Sequence, residues 1–314
     1  MRSFTKIVLL ACLTVLPVIT HADSKWQIVV PTAAEGSTDV LTRKLAQQLT
    51  ILLGEVFEVV NVPGNSGSIA ATKVYEAKPD DRVLLMATVS SHAIAMGLSK
   101  KPAYPADGFA PIALIGSAPY LLVVSNKSPI TTVAEFLSKA QATSLTYSST
   151  GVGGPHYLVG ELLALKGHLL LNHKPYAGGA DAIHAVMDES VDLMLPASIL
   201  ALPEMKKATV RVLATTGAKR SAQIPDVQTL DESGLKGFDA QSWYVLEGPP
   251  KMPVETVKRF EQAVKQALQS PELLEALKSN GVDAGNLDRE AINPFLIEEA
   301  KKWGDLITVL KLKL

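Results

Sequence analysis

Short apolar runs alternate with helical stretches along almost the whole chain, joined by turns of small residues, and this alternation narrows the fold more than any other feature. The first unit is Gln27 to Asp39, QIVVPTAAEGSTD. Ile28, Val29 and Val30 form a β-branched run of the kind that fills strands buried on both faces, and Pro31 stops it. A helix follows, with Ser37, Thr38 or Asp39 able to cap it and Leu41, Leu45, Leu49 and Leu52 at helical spacing before Gly54. The free N–H groups of its first turn point into the loop at the carboxyl end of the strand, where the helix dipole favours an anion.

The same unit recurs. Strands are expected at Phe57–Asn61 and Val83–Ala87, with a helix from Ser68 between them. Strands alternating with helices imply a parallel sheet with right-handed crossovers, which places loops 31–38, 62–67 and 88–93 along one edge. After the apolar strand Leu121–Val124 the pattern starts again. Helices are expected at Thr131–Ala140, Pro155–Lys166 and from Ala180 to Met187, and strands at Ser144–Ser148, His168–His173, Val191–Leu195 and Val210–Ala214. From Ser242 the chain gives one more strand, Trp243–Leu246, then helical stretches from Pro253, Pro271 and Asp288. The expected fold is α/β, with two Rossmann-like lobes joined by a two-strand hinge. One lobe is 23–124 plus 242–314, the other is 125–241, and the connections lie near Ser125 and Gln241. A hinge between two such lobes makes a cleft.

The N-terminus reads as a cleaved export signal over residues 1–22: Arg2 and Lys6, an apolar core from Ile7 to Leu16, and Thr20-His21-Ala22 before Asp23. That core is shorter than the ~20 residues needed to span a bilayer, so an exported, periplasmic protein is expected. Cys12, the single cysteine, lies inside the signal, so the mature chain needs no disulfide framework. About 292 residues then remain, enough for two cores. With 28 basic against 31 acidic residues, 5% aromatics and no basic run, nothing points to nucleic acid or an anionic membrane surface as a partner.

Five turns, at Glu35–Asp39, Gly64–Ser68, Ser90–His92, Ser148–His156 and Tyr176–Ala180, offer backbone N–H groups and hydroxyls with little positive charge. Oriented amides on two sides of a cleft can hold a carboxylate without Arg or Lys. Ser149-Thr150-Gly151-Val152-Gly153-Gly154 is GxGG rather than the dinucleotide GxGxxG, and no acid follows at Leu171-Asn172-His173 to hold a ribose. His168, His173 and His184 lack metal-ligand spacing. The enzyme alternative is a hydrolase of small esters or amides, with Ser148 or Ser149 as nucleophile, His156 as base and Asp181 or Asp192 as orienter; no GxSxG elbow supports it.

Beyond these units, the chain resembles the periplasmic substrate-binding proteins of tripartite tricarboxylate transporters, often called Bug proteins. The likeness runs from about Trp26 to Ile307 through IVVPTAAEGSTD (28–39), NVPGNSGSIA (61–70), SSHAI (90–94), YPADGFAPIALI (104–115), TYSSTGVGGPHYLVGEL (146–162), HKPYAGGADAI (173–183), PDVQTLDESGLKGFDAQSWYVLEGP (225–249) and EEAKKWG (298–304). The resemblance implies a type II periplasmic binding fold that closes on a small carboxylate or amino acid, with no cofactor and no catalysis. It also implies a monomer that serves a membrane permease or a periplasmic sensor. Carried over, Ala34, Ser37, Thr38 and Asp39 would line one wall with Ser90, Ser91 and His92. Ser148, Ser149, His156, Tyr176, Gly178, Gly179, Ala180 and Asp181 would form the other. The chain departs from the family pattern at Thr32, at Glu35-Gly36 and at Pro196-Ala197. Those departures point to a ligand with an amino group or an apolar part.

Overall fold

The computed structural model describes residues 25–312. The expected signal, with Cys12, lies outside them. Strand β1 (Trp26–Val30) leads into α1 (Ser37–Leu53), β2 (Phe57–Asn61), α2 (Ser68–Tyr75) and β3 (Val83–Thr88). A single wide π-helical turn, Ser90–Ile94, then passes into the short α3 (Ala95–Leu98) and the long strand β4 (Ala110–Pro119). The second series is β5 (Leu121–Ser125), α4 (Val133–Ala142), β6 (Leu145–Ser149), α5 (Pro155–Gly167), β7 (Leu171–Pro175), α6 (Gly179–Met187), β8 (Leu193–Met194), α7 (Ser198–Lys206) and β9 (Val210–Thr215). The chain ends with β10 (Gln241–Gly248), α8 (Val254–Ala267), α9 (Pro271–Ser279), β11 (Asp283–Ala284) and α10 (Arg289–Val309).

Two sheets result, ordered β11-β4-β10-β3-β1-β2 and β7-β6-β8-β5-β9. β1 pairs in parallel with β2 and β3, and Ile28, Val29 and Val30 are fully buried between helices on both faces. Leu41, Leu45 and Leu49 turn one face of α1 into this core, and Gly54 ends the helix in the left-handed conformation at φ 65°. Trp26, Phe57 and Phe260 close the lower end, with Phe260 edge-on to Trp26 at 4.7 Å. In the second sheet β6 is parallel to β7 and β8. Helix α5 can approach it only because residue 160 is glycine: a Cβ there would sit 2.4 Å from the Tyr147 ring.

The sheets are mixed where the sequence implied parallel ones. β10 runs antiparallel to β3 and β4, and β5 antiparallel to β8 and β9, because these strands carry the chain between lobes rather than through a helical crossover. The first crossing also comes earlier than the expected Ser125. Pro119 ends β4 in the first sheet and Leu121 opens β5 in the second, so Leu121–Val124 belongs to the second lobe. An apolar run of this kind announces a buried strand without saying in which of two sheets. His168–His173 shifts to Leu171–Pro175 because His168 takes the left-handed position that closes α5. β4, punctuated by Pro111, Gly116 and Pro119, and α7, with Pro203 inside, carried no clear periodicity.

The two crossings lie side by side and are stitched by Thr216, which is fully buried. Its hydroxyl accepts from the Tyr120 N–H at 2.9 Å and lies within donating distance of the Ala240 carbonyl at 2.5 Å and the Tyr120 carbonyl at 3.1 Å. Behind the return strand, Trp243 and Trp303 both donate to the buried Glu299 carboxylate, at 3.0 and 3.2 Å, and Lys302 pairs with it. Replacing Thr216 by valine keeps its shape and leaves buried peptide groups without partners. A loss of about 2–4 kcal/mol is expected in urea unfolding, with Thr216→Ser close to wild type.

Candidate ligand-binding cleft

A cavity of about 420 Å³ lies between the lobes, within the range of roughly 300–1,000 Å³ usual for small-molecule sites. The first lobe lines it with Thr32, Ser37, Thr38, Thr88, Val89 and Ser90, joined by Ser242 and Tyr244 of β10. Tyr120 stands at the crossing, and the second lobe adds Pro155, His156, Ala197, Ile199 and Leu200. No Asp, Glu, Lys or Arg is among them. Helix α1 opens on Gly36 with no side-chain cap, so its first N–H groups are available at this wall. The hydroxyls of Ser37, Thr38 and Ser90 bond to no other described residue, and Thr32 Oγ1 is buried without a partner.

Of the expected site residues, Ser37, Thr38, Ser90 and His156 line this cavity. The others do not, and each for a local reason. Ala34 is exposed on the loop. Asp39 turns inward: its carboxylate accepts from the Glu35 N–H at 2.9 Å, Asn61 Nδ2 at 2.9 Å and Arg43 Nε at 3.0 Å. Asn61 in turn donates to the Thr32 carbonyl, so this network sets the shape of the β1–α1 loop. Burial alone would raise the Asp39 pKa, but the three hydrogen bonds and the Arg43 charge together hold it below the ordinary value. Glu35 sits at φ 67° with its side chain exposed, away from the cavity lining.

The π-helical turn after β3 carries Ser91 and His92 into the interior of the lobe, where both are fully buried. His92 Nε2 stands 2.9 Å from Glu247 Oε2, Nδ1 lies 3.0 Å from Ser91 Oγ, and the Tyr104 hydroxyl donates to the Ser91 carbonyl. In the second lobe Ser148 donates to the Ala182 carbonyl at 2.8 Å, while Ser149 Oγ lies 2.6 Å from His173 Nε2. The supposed base, His156, instead has Nδ1 3.4 Å from Thr150 Oγ1. The hydrolase arrangement of Ser148 or Ser149 with His156 is therefore not assembled. Tyr176 has Lys174 over its ring, Ala180 and Asp181 are exposed, and Leu200 lies against Gly179 next to Gly178, between α6 and the cavity.

Several lining residues escaped the sequence reading. Ser242 and Tyr244 alternate with the core residues Trp243 and Val245, and that two-residue period along β10 was the signal available for them. Tyr120 meets the His156 ring edge-on at 5.9 Å. Burial lowers the His156 pKa from 6.5 to about 4, so the imidazole is neutral at pH 7. Burial likewise raises the Tyr120 pKa, keeping its phenol protonated.

A cleft between two α/β lobes, walled by hydroxyls and an uncapped helix start, is the arrangement of a two-lobed solute-binding receptor. The chain matches the tripartite tricarboxylate transporter family receptor model over residues 41–312 and belongs to that family. It is similar to MatC of Rhodopseudomonas palustris, solved with malate, at 28% identity and TM-score 0.74, covering 90% of this chain and 98% of that one. Rpa4515 of R. palustris, solved with adipate, aligns at 27% identity and TM-score 0.77, covering 92% and 98%. The periplasmic binding protein BugD gives 27% and 0.74 over the same shares. The family is one of receptors that bind solutes in the periplasm, not of enzymes.

Two consequences are open to measurement. Asp39→Ala should cost about 1–3 kcal/mol at pH 7 by stranding the Glu35 N–H and Asn61 amide. Because its folded pKa is depressed, the Asp39 contribution is present above its unfolded value near 3.8 and drains away as pH falls below it. His156 acts in a different window. Its folded state binds fewer protons than the unfolded chain between 6.5 and about 4, so stability should fall as pH is lowered through that range. Urea unfolding at several pH values should show a shallower decline for His156→Gln.

Proposed function

We propose that this chain is a periplasmic receptor that closes its lobes over a small organic carboxylate and delivers it to a membrane permease of the tripartite tricarboxylate type. On this reading residues 1–22 direct export, and the lobes hinge where the chain crosses near Tyr120 and Gln241. The observation that carries the proposal is the first-lobe wall: uncapped α1 N–H groups and four hydroxyls without partners converge on a cavity that holds no ionised side chain. Donors so placed suit an anion, since a carboxylate accepts at about four lone-pair positions and the helix dipole favours its charge. Malate and adipate in two relatives are carboxylates that fill comparable folds. Closure would expel water and strengthen each of these hydrogen bonds.

Thermal unfolding of the exported protein against mono-, di- and tricarboxylates and amino acids tests this. A ligand at about 100 times its Kd adds roughly 2.7 kcal/mol, which moves the melting temperature by several degrees. Thr38→Val should weaken binding of the responding ligand about tenfold, read by calorimetry, with little change in the unliganded protein's melting temperature. Absence of any shift across the panel would overturn the carboxylate reading.

A further inference from the structure

The cavity is polar on one side and apolar on the other. On the first-lobe side Thr32, Ser37, Thr38 and Ser90 present hydroxyls with no described partner around the start of α1. On the second-lobe side the facing residues include Ala197, Ile199 and Leu200, at the start of α7. Three helices begin on that side, none with a side-chain cap, and what stands before each start is hydrocarbon, a proline or a hydroxyl already engaged. A Cβ built on Gly179, the first residue of α6, would lie 2.7 Å from Leu200 Cδ1, so the leucine side chain rests directly on that helix start and turns hydrocarbon toward the cavity. At α7 the Ser198 hydroxyl is spent on the Pro119 carbonyl at 2.8 Å. At α5 the first residue is Pro155, which has no N–H to give, and His156 beside it is neutral at pH 7.

Resting on the carboxylate reading above, we infer that the ligand is a monocarboxylate with an apolar body: its carboxylate lies at the start of α1 and its hydrocarbon lies against Leu200, Ile199 and Ala197. A second carboxylate laid against Leu200, Ile199 and Ala197 would lose its hydration to hydrocarbon, a penalty larger than the apolar contact it would displace. The apolar body instead gains roughly 25 cal/mol for each Å² it removes from water. The departure from the family pattern at Pro196-Ala197 falls at the same wall. Glu35 lies outside the lining, so nothing at this end selects for an amino group.

Titration calorimetry of the exported protein with matched pairs decides the matter: butanoate with succinate, hexanoate with adipate, benzoate with terephthalate. Each pair differs by one carboxylate on the same skeleton. The expected result is that the monoacid of at least one pair binds and its diacid binds at least about a hundredfold more weakly. Leu200→Ala, which uncovers Gly179, should narrow that ratio by strengthening the diacid and weakening the monoacid. Diacids that bind as well as or better than their monoacids in the wild-type protein would overturn the inference and leave the carboxylate receptor standing. No binding by either member of any pair, nor by a wider panel of acids, would overturn both.

Discussion

The hydrogen bonding of Thr216 ties the outgoing and returning strands together where both pass between lobes, and the arrangement of the cleft depends on that joint. Two separate connections could let the lobes twist as well as open. The buried Thr216 hydroxyl and the Thr216 backbone N–H and C=O, all bonded to Tyr120 or Ala240, join them into one narrow axis. The carboxyl ends of the strands in both lobes then face one cavity, and the loops that follow them become its walls. Tyr120, one residue from either sheet, is both part of the axis and part of the lining.

The buried polar groups near the cleft divide into those that hold shape and those that remain free. Asp39, Ser148, Ser149 and His92 are each consumed by partners within their own lobe. Glu299 gathers two tryptophan N–H groups and a lysine behind β10. Such groups cannot turn to a solute without stranding the partner they leave, which costs more than a typical hydrogen bond returns. Ser37, Thr38, Ser90 and Thr32 have no such commitment. Hydroxyls left free beside a cavity are what an intermittent occupant requires.

Much of this was legible in the sequence, and the rest was not for identifiable reasons. β-branched runs such as Ile28-Val29-Val30, followed by small-residue turns and leucines at helical spacing, fixed the alternation of strands and helices and the existence of two lobes. Period and composition are local properties, so they put Ser37, Thr38, Ser90 and His156 in the turns and helix starts that follow strands. They could not tell that the turn after β3 is wound wide enough to swing Ser91 and His92 inward, or that Asp39 would be claimed by Arg43 and Asn61. Those outcomes depend on residues 4 to 155 positions away in the chain. Leu200 was invisible for the same reason: its role comes from lying across a helix that begins 21 residues earlier.

The absence of ionised side chains from the cavity lining has a consequence for how a captured solute leaves. His156 is already neutral well above pH 4, burial keeps the Tyr120 phenol protonated, and no Asp, Glu, Lys or Arg lines the wall. Neutralising a carboxylate or an ammonium in the wall is therefore not available as a trigger. The donors at the first-lobe wall are peptide groups and hydroxyls, which keep their protons across the ordinary neutral range. On the proposed reading, release follows the opening of the two lobes rather than a change of charge in the wall.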